Sequence, residues 1–253
     1  MAQQVAIEQI DQLDGLSEPS PEIAAFIELF NKNVAEMFDY GRYMLARRRA
    51  DPQPDLMSAI ANAMVDGEPL PDPYLDGAWL LIVFAGNDTT RNSLSGAMKL
   101  FTENPDQKAR LQADNSLLTN AVHEITRVVS PVIYMRRTAT RDTEVGGQRI
   151  AEGEKVIMYY GAANRDAAMF PDPERFDIAR ANAEKNIAFG YGPHICIGRM
   201  TAQLQLEEAY RQLFARFPDI RWTGEMDIAP NNFVHAVRRL EVEFTPERAV
   251  RAA

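Results

Sequence analysis

The 253-residue chain is 46% hydrophobic, enough to bury one large core or two smaller ones. Its formal net charge of -9 argues against nucleic acid or an anionic membrane as the main partner, and its single cysteine excludes an intrachain disulfide and fits a reducing compartment. The start, MAQQVAIEQIDQLDG, lacks a basic end and an apolar segment, and the longest apolar run, Ala78 to Gly86, is too short to span a bilayer. The chain therefore reads as a soluble cytoplasmic protein without a membrane anchor.

In chain order, residues 1–20 are polar and read as a loose N-terminal segment, and Ser20-Pro21-Glu22 opens a helix that runs to about Arg49. The basic turn and the prolines of ARRRADPQPD end it. Residues 55–65 read as a short helix. In GEPLPDP, Asp72 can cap and Pro73 can open a long helix over about Tyr74 to Thr102, whose first half is apolar nearly all round and should be central. Asn104-Pro105 starts the next helix, and a further one spans about Ser116 to Val129, stopping before Pro131. From Val132 to Tyr160 the pattern turns to short β runs, with a hairpin predicted at Val145-Gly146-Gly147-Gln148. After Gly198 a helix is predicted with Ala202, Leu206, Ala209 and Leu213 on one stripe, and the tail alternates as terminal strands do. The class is mainly α with small β-sheets.

The sole cysteine sits in FGYGPHICIG, Phe189 to Gly198. A lone cysteine is by itself most often a small buried hydrophobe. Here Gly190, Gly192 and Gly198 let the backbone turn tightly and approach a flat partner, and Cys196 precedes a helix whose N–H groups favour a thiolate. A thiolate binds iron, His194 can donate a hydrogen bond to an anionic group beside it, and Phe189 can pack under a large ring. This F-x-x-G-x-H-x-C-x-G frame resembles the haem-binding signature of the cytochromes P-450, the haem-thiolate monooxygenases. Further stretches are similar to that family's motifs in the same order: AGNDTT (Ala85 to Thr90), Glu124-Ile-Thr-Arg127, Ala163-Asn-Arg-Asp166 of the bacterial branch, and PERF (Pro173 to Phe176). The resemblance covers residues 22 to 246.

The resemblance implies haem b between the long central helix and the cysteine loop. Cys196 would be the iron ligand, and His194, Phe189, Gly190, Gly198, Ala85 and Arg137 would complete the cofactor site, with Arg136 a second reading for Arg137. Asp88 and Thr89, polar residues that a helix interior disfavours, would serve oxygen activation. Thr89 would hold the oxygen by a hydrogen bond while Asp88 delivers protons. Leu81, Phe84, Val132, Ile133, Phe233 and Val234 would line a pocket for a lipophilic substrate, with hydroxylation of a steroid, terpene or alkyl chain the expected reaction. Glu124 and Arg127, i and i+3 on a helix, would join Arg175 in a scaffold network that pins the coil before the loop.

The chain is shorter than the family's usual length, so residues 21–253 read as a truncated haem domain resembling the C-terminal part, with the N-terminal helices absent. The family's usual glycine in the last strand pair is Ala236. No flavin or dinucleotide fingerprint occurs, so electrons would come from an external ferredoxin and its reductase, docking on the cysteine side. Two readings stand: a monooxygenase, completed by a second copy or a separate N-terminal piece, or an incomplete haem-binding fragment without oxygenase activity. A cysteine hydrolase built on Cys196 and His194 is disfavoured, because no third orienting group accompanies them.

Overall fold

The computed structural model describes residues 20–247. The expected loose segment at 1–20 lies, apart from Ser20, outside the described residues. The chain divides into two compact units, one ending at Ala85 and the other starting at Gly86.

In the first unit, helix α1 (Pro21–Ala50) begins where the Ser20 hydroxyl accepts from the Ile23 amide, and Arg47, Arg48 and Arg49 occupy its last turn. Helix α2 (Leu56–Ala61) is capped by the Asp55 carboxylate, which accepts from the Ser58 amide at 2.8 Å. It is shorter than the predicted 55–65. Asp66 and Gly67, both at positive φ, turn the chain into a small hairpin of β1 (Met64–Val65) and β2 (Glu68–Pro69). Leu45, Ala61, Leu75 and Trp79 form this unit's core, with the Trp79 indole donating to the Met37 carbonyl at 3.0 Å. Helix α3 (Asp72–Glu103) starts two residues earlier than predicted. Its first half is not buried all round: Leu75 and Trp79 turn inward, whereas Leu81 and Phe84 are exposed. Composition measured the hydrophobicity of that stretch but not which faces have a neighbour.

In the second unit, the C-terminal half of α3 carries Ala97, Met98 and Phe101 into a core shared with α4 (Pro105–Ala113), α5 (Leu118–Val129) and α7 (Arg199–Arg216). Phe101 is its hub, with ring centroids 5.4, 5.3 and 5.1 Å from Phe176, Tyr210 and Phe214. The buried Tyr210 hydroxyl is satisfied by donating to the Leu94 carbonyl at 2.6 Å. On α7 the inward stripe is Leu206, Tyr210 and Phe214, a rotation of the predicted one. Leu206 belongs to both, and Tyr210 replaces Ala209 because its ring fills the core while its hydroxyl finds a carbonyl.

Among the described residues every sheet is a two-stranded antiparallel pair. Strand β3 (Tyr134–Thr138) pairs with β6 (Lys155–Tyr159), and β4 (Thr143–Val145) with β5 (Gln148–Ile150). The β4–β5 turn is Gly146-Gly147 at φ 58 and 80, the left-handed pair that a two-residue hairpin requires. Strands β7 (Arg221–Ala229) and β8 (Ala236–Glu243) close the chain. Between β6 and α7 lie a one-turn helix, α6 (Tyr160–Ala163), and a long coil.

That coil is held by a buried charge cluster. Glu124 and Arg127 on α5 are fully buried and paired through two hydrogen bonds, at 2.7 and 2.8 Å. The second arginine on Glu124 is Arg180, whose Nε lies 3.1 Å from both carboxylate oxygens. This corrects the expected Arg175, whose side chain is exposed. Its carbonyl oxygen instead accepts from Arg127 at 3.2 Å and from Arg180 at 2.7 Å. The stretch FDIAR carries the chain inward at Phe176 and Ile178, so the next inward arginine is Arg180. Removing one partner of a buried charge cluster costs about 3–5 kcal/mol. Arg180→Ala is therefore expected to lower the unfolding free energy of the chain by about that much, and Arg175→Ala by less than about 0.5 kcal/mol. Urea unfolding of the two variants checks this, and equal losses would restore Arg175 to the network.

Candidate haem site

The loop begins where Asn186 and Ile187 leave the coil. Gly190 and Gly192 sit at φ 74 and 72, a region L side chains avoid, and between them they fold the chain back so that the Cys196 amide donates to the Phe189 carbonyl at 2.8 Å. A short 3-10 turn (Gly192–His194) follows, and Gly198 caps α7. Cys196 thus lies three residues before the helix, with its carbonyl accepting from the Arg199 amide at 3.3 Å. Its thiol is free and exposed, and Sγ is 3.8 Å from where a Cβ on Gly198 would stand. Ile195 and Ile197 flank it, 41% and 83% exposed, so an apolar surface surrounds the one thiol. His194 is exposed in the turn just before it.

Facing this loop, a narrow crevice is lined by Thr89 and Thr90 of α3, Pro131, Ala188, Phe189 and Ala202. Thr89 is half-buried, and its carbonyl accepts from the Ser93 hydroxyl at 2.9 Å. Asp88 is tied to Arg91 by an ion pair of 2.7 Å on a partly exposed face. The crevice brings Thr89 and Phe189 together; Ala85, Leu81 and Phe84 belong to the first unit. Val132 bridges Val234, and the Ile133 amide donates to the Phe233 carbonyl at 2.8 Å, so these four pocket candidates come from two segments that are paired through their backbones. Val234 is buried and the other three are half-buried. Arg137 stands exposed on β3 and donates to the Arg136 carbonyl at 3.0 Å.

Beside the loop, His123 on α5 contacts the Gln203 amide nitrogen at 3.3 Å. Burial pushes its imidazole below the ordinary value, against the attraction of Glu184 and Glu207. Four groups had no role in the sequence reading: Arg180, Asn164, Ser130 and Thr90. The sequence carried no signal that separates Arg180 from Arg175 in the same coil. For Ser130, followed by proline, the signal was the end of a helix that needs a left-handed residue, and Ser130 has φ 42.

The Cytochrome P450 family profile matches residues 20–218, and the chain belongs to that family. It is 35% identical over 232 residues to linalool 8-monooxygenase of Pseudomonas putida, covering 92% of this chain and 57% of that one. It is 40% identical over 211 residues to a steroid C26-monooxygenase of Mycobacterium tuberculosis, covering 82% and 56%. Among solved structures, a Mycobacterium marinum cytochrome P450 in complex with pseudoionone superposes with a TM-score of 0.81 at 39% identity, covering 86% of this chain and 53% of that one. The chain spans little more than half the length of the relatives it matches. The fold is accordingly part of the cytochrome P450 fold, mainly helical with small antiparallel sheets. Among the described residues no helix is long and apolar enough to cross a membrane.

The family's cofactor is haem b, iron protoporphyrin IX. The residues present fit it. The sole thiol is exposed and could supply a thiolate to the iron, Ile195, Ile197 and Phe189 could supply apolar cover, and His194 and Arg137 could supply donors for carboxylates.

Proposed function

We propose that this chain is the haem-carrying part of a monooxygenase that inserts one oxygen atom of O2 into a lipophilic small molecule such as a terpene, a steroid or an alkyl chain. The observation that carries the reading is the sole thiol, exposed on a glycine-folded loop beside a crevice that Thr89, from the middle of a long helix, also lines. The names of the relatives, which act on linalool and on steroids, support the substrate class. The reaction balances with two electrons and two protons: one oxygen atom enters the product and the other leaves as water. Haem, when bound, would supply redox-active iron for the reduction of O2, with the Cys196 sulfur as the protein group that would hold it. The electrons come from an external ferredoxin and its reductase, docking on the cysteine side.

Each residue has a physical task. Cys196 holds the iron as a thiolate, which the exposed loop leaves free of competing partners. His194 and Arg137 donate to the propionates. The Thr89 hydroxyl orients the oxygen substrate and passes a proton. Asp88, ion-paired with Arg91 on a partly exposed face next to Thr89, relays protons toward it. Val132, Ile133, Phe233 and Val234 offer apolar contact that keeps water from the substrate.

Cys196→Ser is expected to abolish the red-shifted Soret band of the reduced carbon monoxide complex, and survival of that band would remove Cys196 as the ligand. Thr89→Ala is expected to retain haem while diverting reducing equivalents to peroxide. Unchanged product per electron in the reconstituted enzyme would make Thr89 structural.

A second reading is favoured by the exposed apolar side chains of the first unit, Phe26, Phe30, Leu81 and Phe84, which a soluble monomer does not normally leave bare. The chain alone would then be an incomplete haem-binding fragment that self-associates or needs an N-terminal partner for turnover. Native mass spectrometry with a coupled hydroxylation assay separates the two. Dimers or haem-poor monomers without product are the expected result for the chain alone, and a haem-stoichiometric monomer with coupled product would show that this half suffices.

A further inference from the structure

The geometry points to Asn164 and Ser130 as positioning residues for the cysteine loop. Asn164 is fully buried, one residue past α6, and each of its polar groups is engaged by a different part of the fold. Its carbonyl accepts from Arg127 at 2.8 Å, its side-chain nitrogen donates to the Ser130 hydroxyl at 2.9 Å, and its side-chain oxygen accepts from the Ile187 amide at 2.8 Å. Ser130, also buried, is fixed by its left-handed backbone at the end of α5 and by donation of its hydroxyl to the Arg127 carbonyl at 2.9 Å. Ile187 is the first residue of the loop proper. Its carbonyl accepts from the Gly190 amide at 2.8 Å, and Phe189, between them, accepts from the Cys196 amide at 2.8 Å. Hydrogen bonds therefore lead from the Glu124–Arg127 pair through Asn164 to Ile187 and on to Gly190, and from there the peptide bond to Phe189 joins the path to the Cys196 amide.

The alternative is that Asn164 is a satisfied polar group filling space. Its position argues against that. Ile187 lies in coil, where no strand or helix ladder holds its half-buried amide, and an amide removed from water without a partner is costly. The Asn164 side chain is what fixes the loop's entry, and Ser130 fixes the rotamer of Asn164. Asn186, next to Ile187, adds a weaker tie to the same helix through the His123 carbonyl at 3.3 Å. Both residues act through the loop and touch neither substrate nor cofactor. The role deepens the proposed function and rests on it for its purpose, while the loop geometry stands without haem.

Amide hydrogen exchange of the full chain without haem tests this. Gly190 and Cys196 make no contact with Asn164, so their amides report transmission rather than a lost partner. Asn164→Ala is expected to speed exchange at both by about tenfold or more. Asn120→Ala removes comparable bonds from α5 to the Ile178 and Arg180 carbonyls, and is expected to leave both amides within about twofold of the original. Gly190 and Cys196 unmoved in Asn164→Ala, or moved equally in Asn120→Ala, would overturn the assignment. Should Asn164→Ala fail to fold, Ser130→Ala decides by the same two amides: it removes the hydroxyl that holds the Asn164 side chain, is expected to speed exchange at both by several-fold, and overturns the assignment if both stay unmoved. In haem-loaded protein, Asn164→Ala is expected to convert part of the red-shifted carbon monoxide band to the unshifted form. A chain that takes up no haem would count against the proposed function and leave the exchange result standing.

Discussion

Glu124 is the constraint on which the rest depends. A carboxylate removed from water is costly unless its charge and its lone pairs are met. Here two guanidinium groups meet it, and the remaining arginine donors turn outward to carbonyls of the coil. Arg127 donates to Pro173 and Arg175, and Arg180 to Pro171, Asp172 and Arg175. The Asp177 amide donates to Glu124 directly at 3.0 Å. The coil has no ladder of its own, so its backbone polar groups are satisfied by side chains. One buried charge cluster thereby gives an irregular segment a fixed path, and that path ends in the cysteine loop.

The parts of the fold that were legible in the sequence are those with a local cause. The Gly146-Gly147 turn, the Ser20 cap and the Pro105 start are each decided by the conformational limits of one or two residues. What was not legible depended on a third dimension. Arg175 and Arg180 lie in one coil with the same chemistry, and only the path set by Phe176 and Ile178 says which faces inward. The stripe on α7 was misplaced because Tyr210 counts as half polar in a periodicity argument. Once its hydroxyl has the Leu94 carbonyl, the ring behaves as a core aromatic. The Asp66-Gly67 turn was missed because strands of two residues carry no alternation to recognise.

The candidate site was legible through its spacing, which is why a family resemblance could be drawn from a few short stretches. Its supports were not. Asn164 was visible within ANRD as a pattern and silent as to purpose, since an asparagine in sequence does not show where its amide points. Thr90 and Ser93 likewise look like ordinary polar residues of a helix, and only the fold shows Thr90 at the crevice and Ser93 back-bonded to the carbonyl of Thr89.

The loop itself resolves two demands that pull against each other. A thiol that is to hold a metal, the role proposed for Cys196, must be open to it, whereas the backbone carrying it must hold one position to within a fraction of an ångström. A helix or strand would give rigidity by burying its own amides in a ladder, and would leave little freedom to aim a side chain across a flat ring. The chain instead uses left-handed glycines to fold the backbone under the thiol. The Cys196 amide closes back on Phe189, and Ile187 is tied into the protein interior. The side chain is thus left exposed while the main chain beneath it is hydrogen-bonded through both the Cys196 amide and its carbonyl. Rigidity is imported from the buried polar network on α5, and exposure is kept at the one atom that needs it.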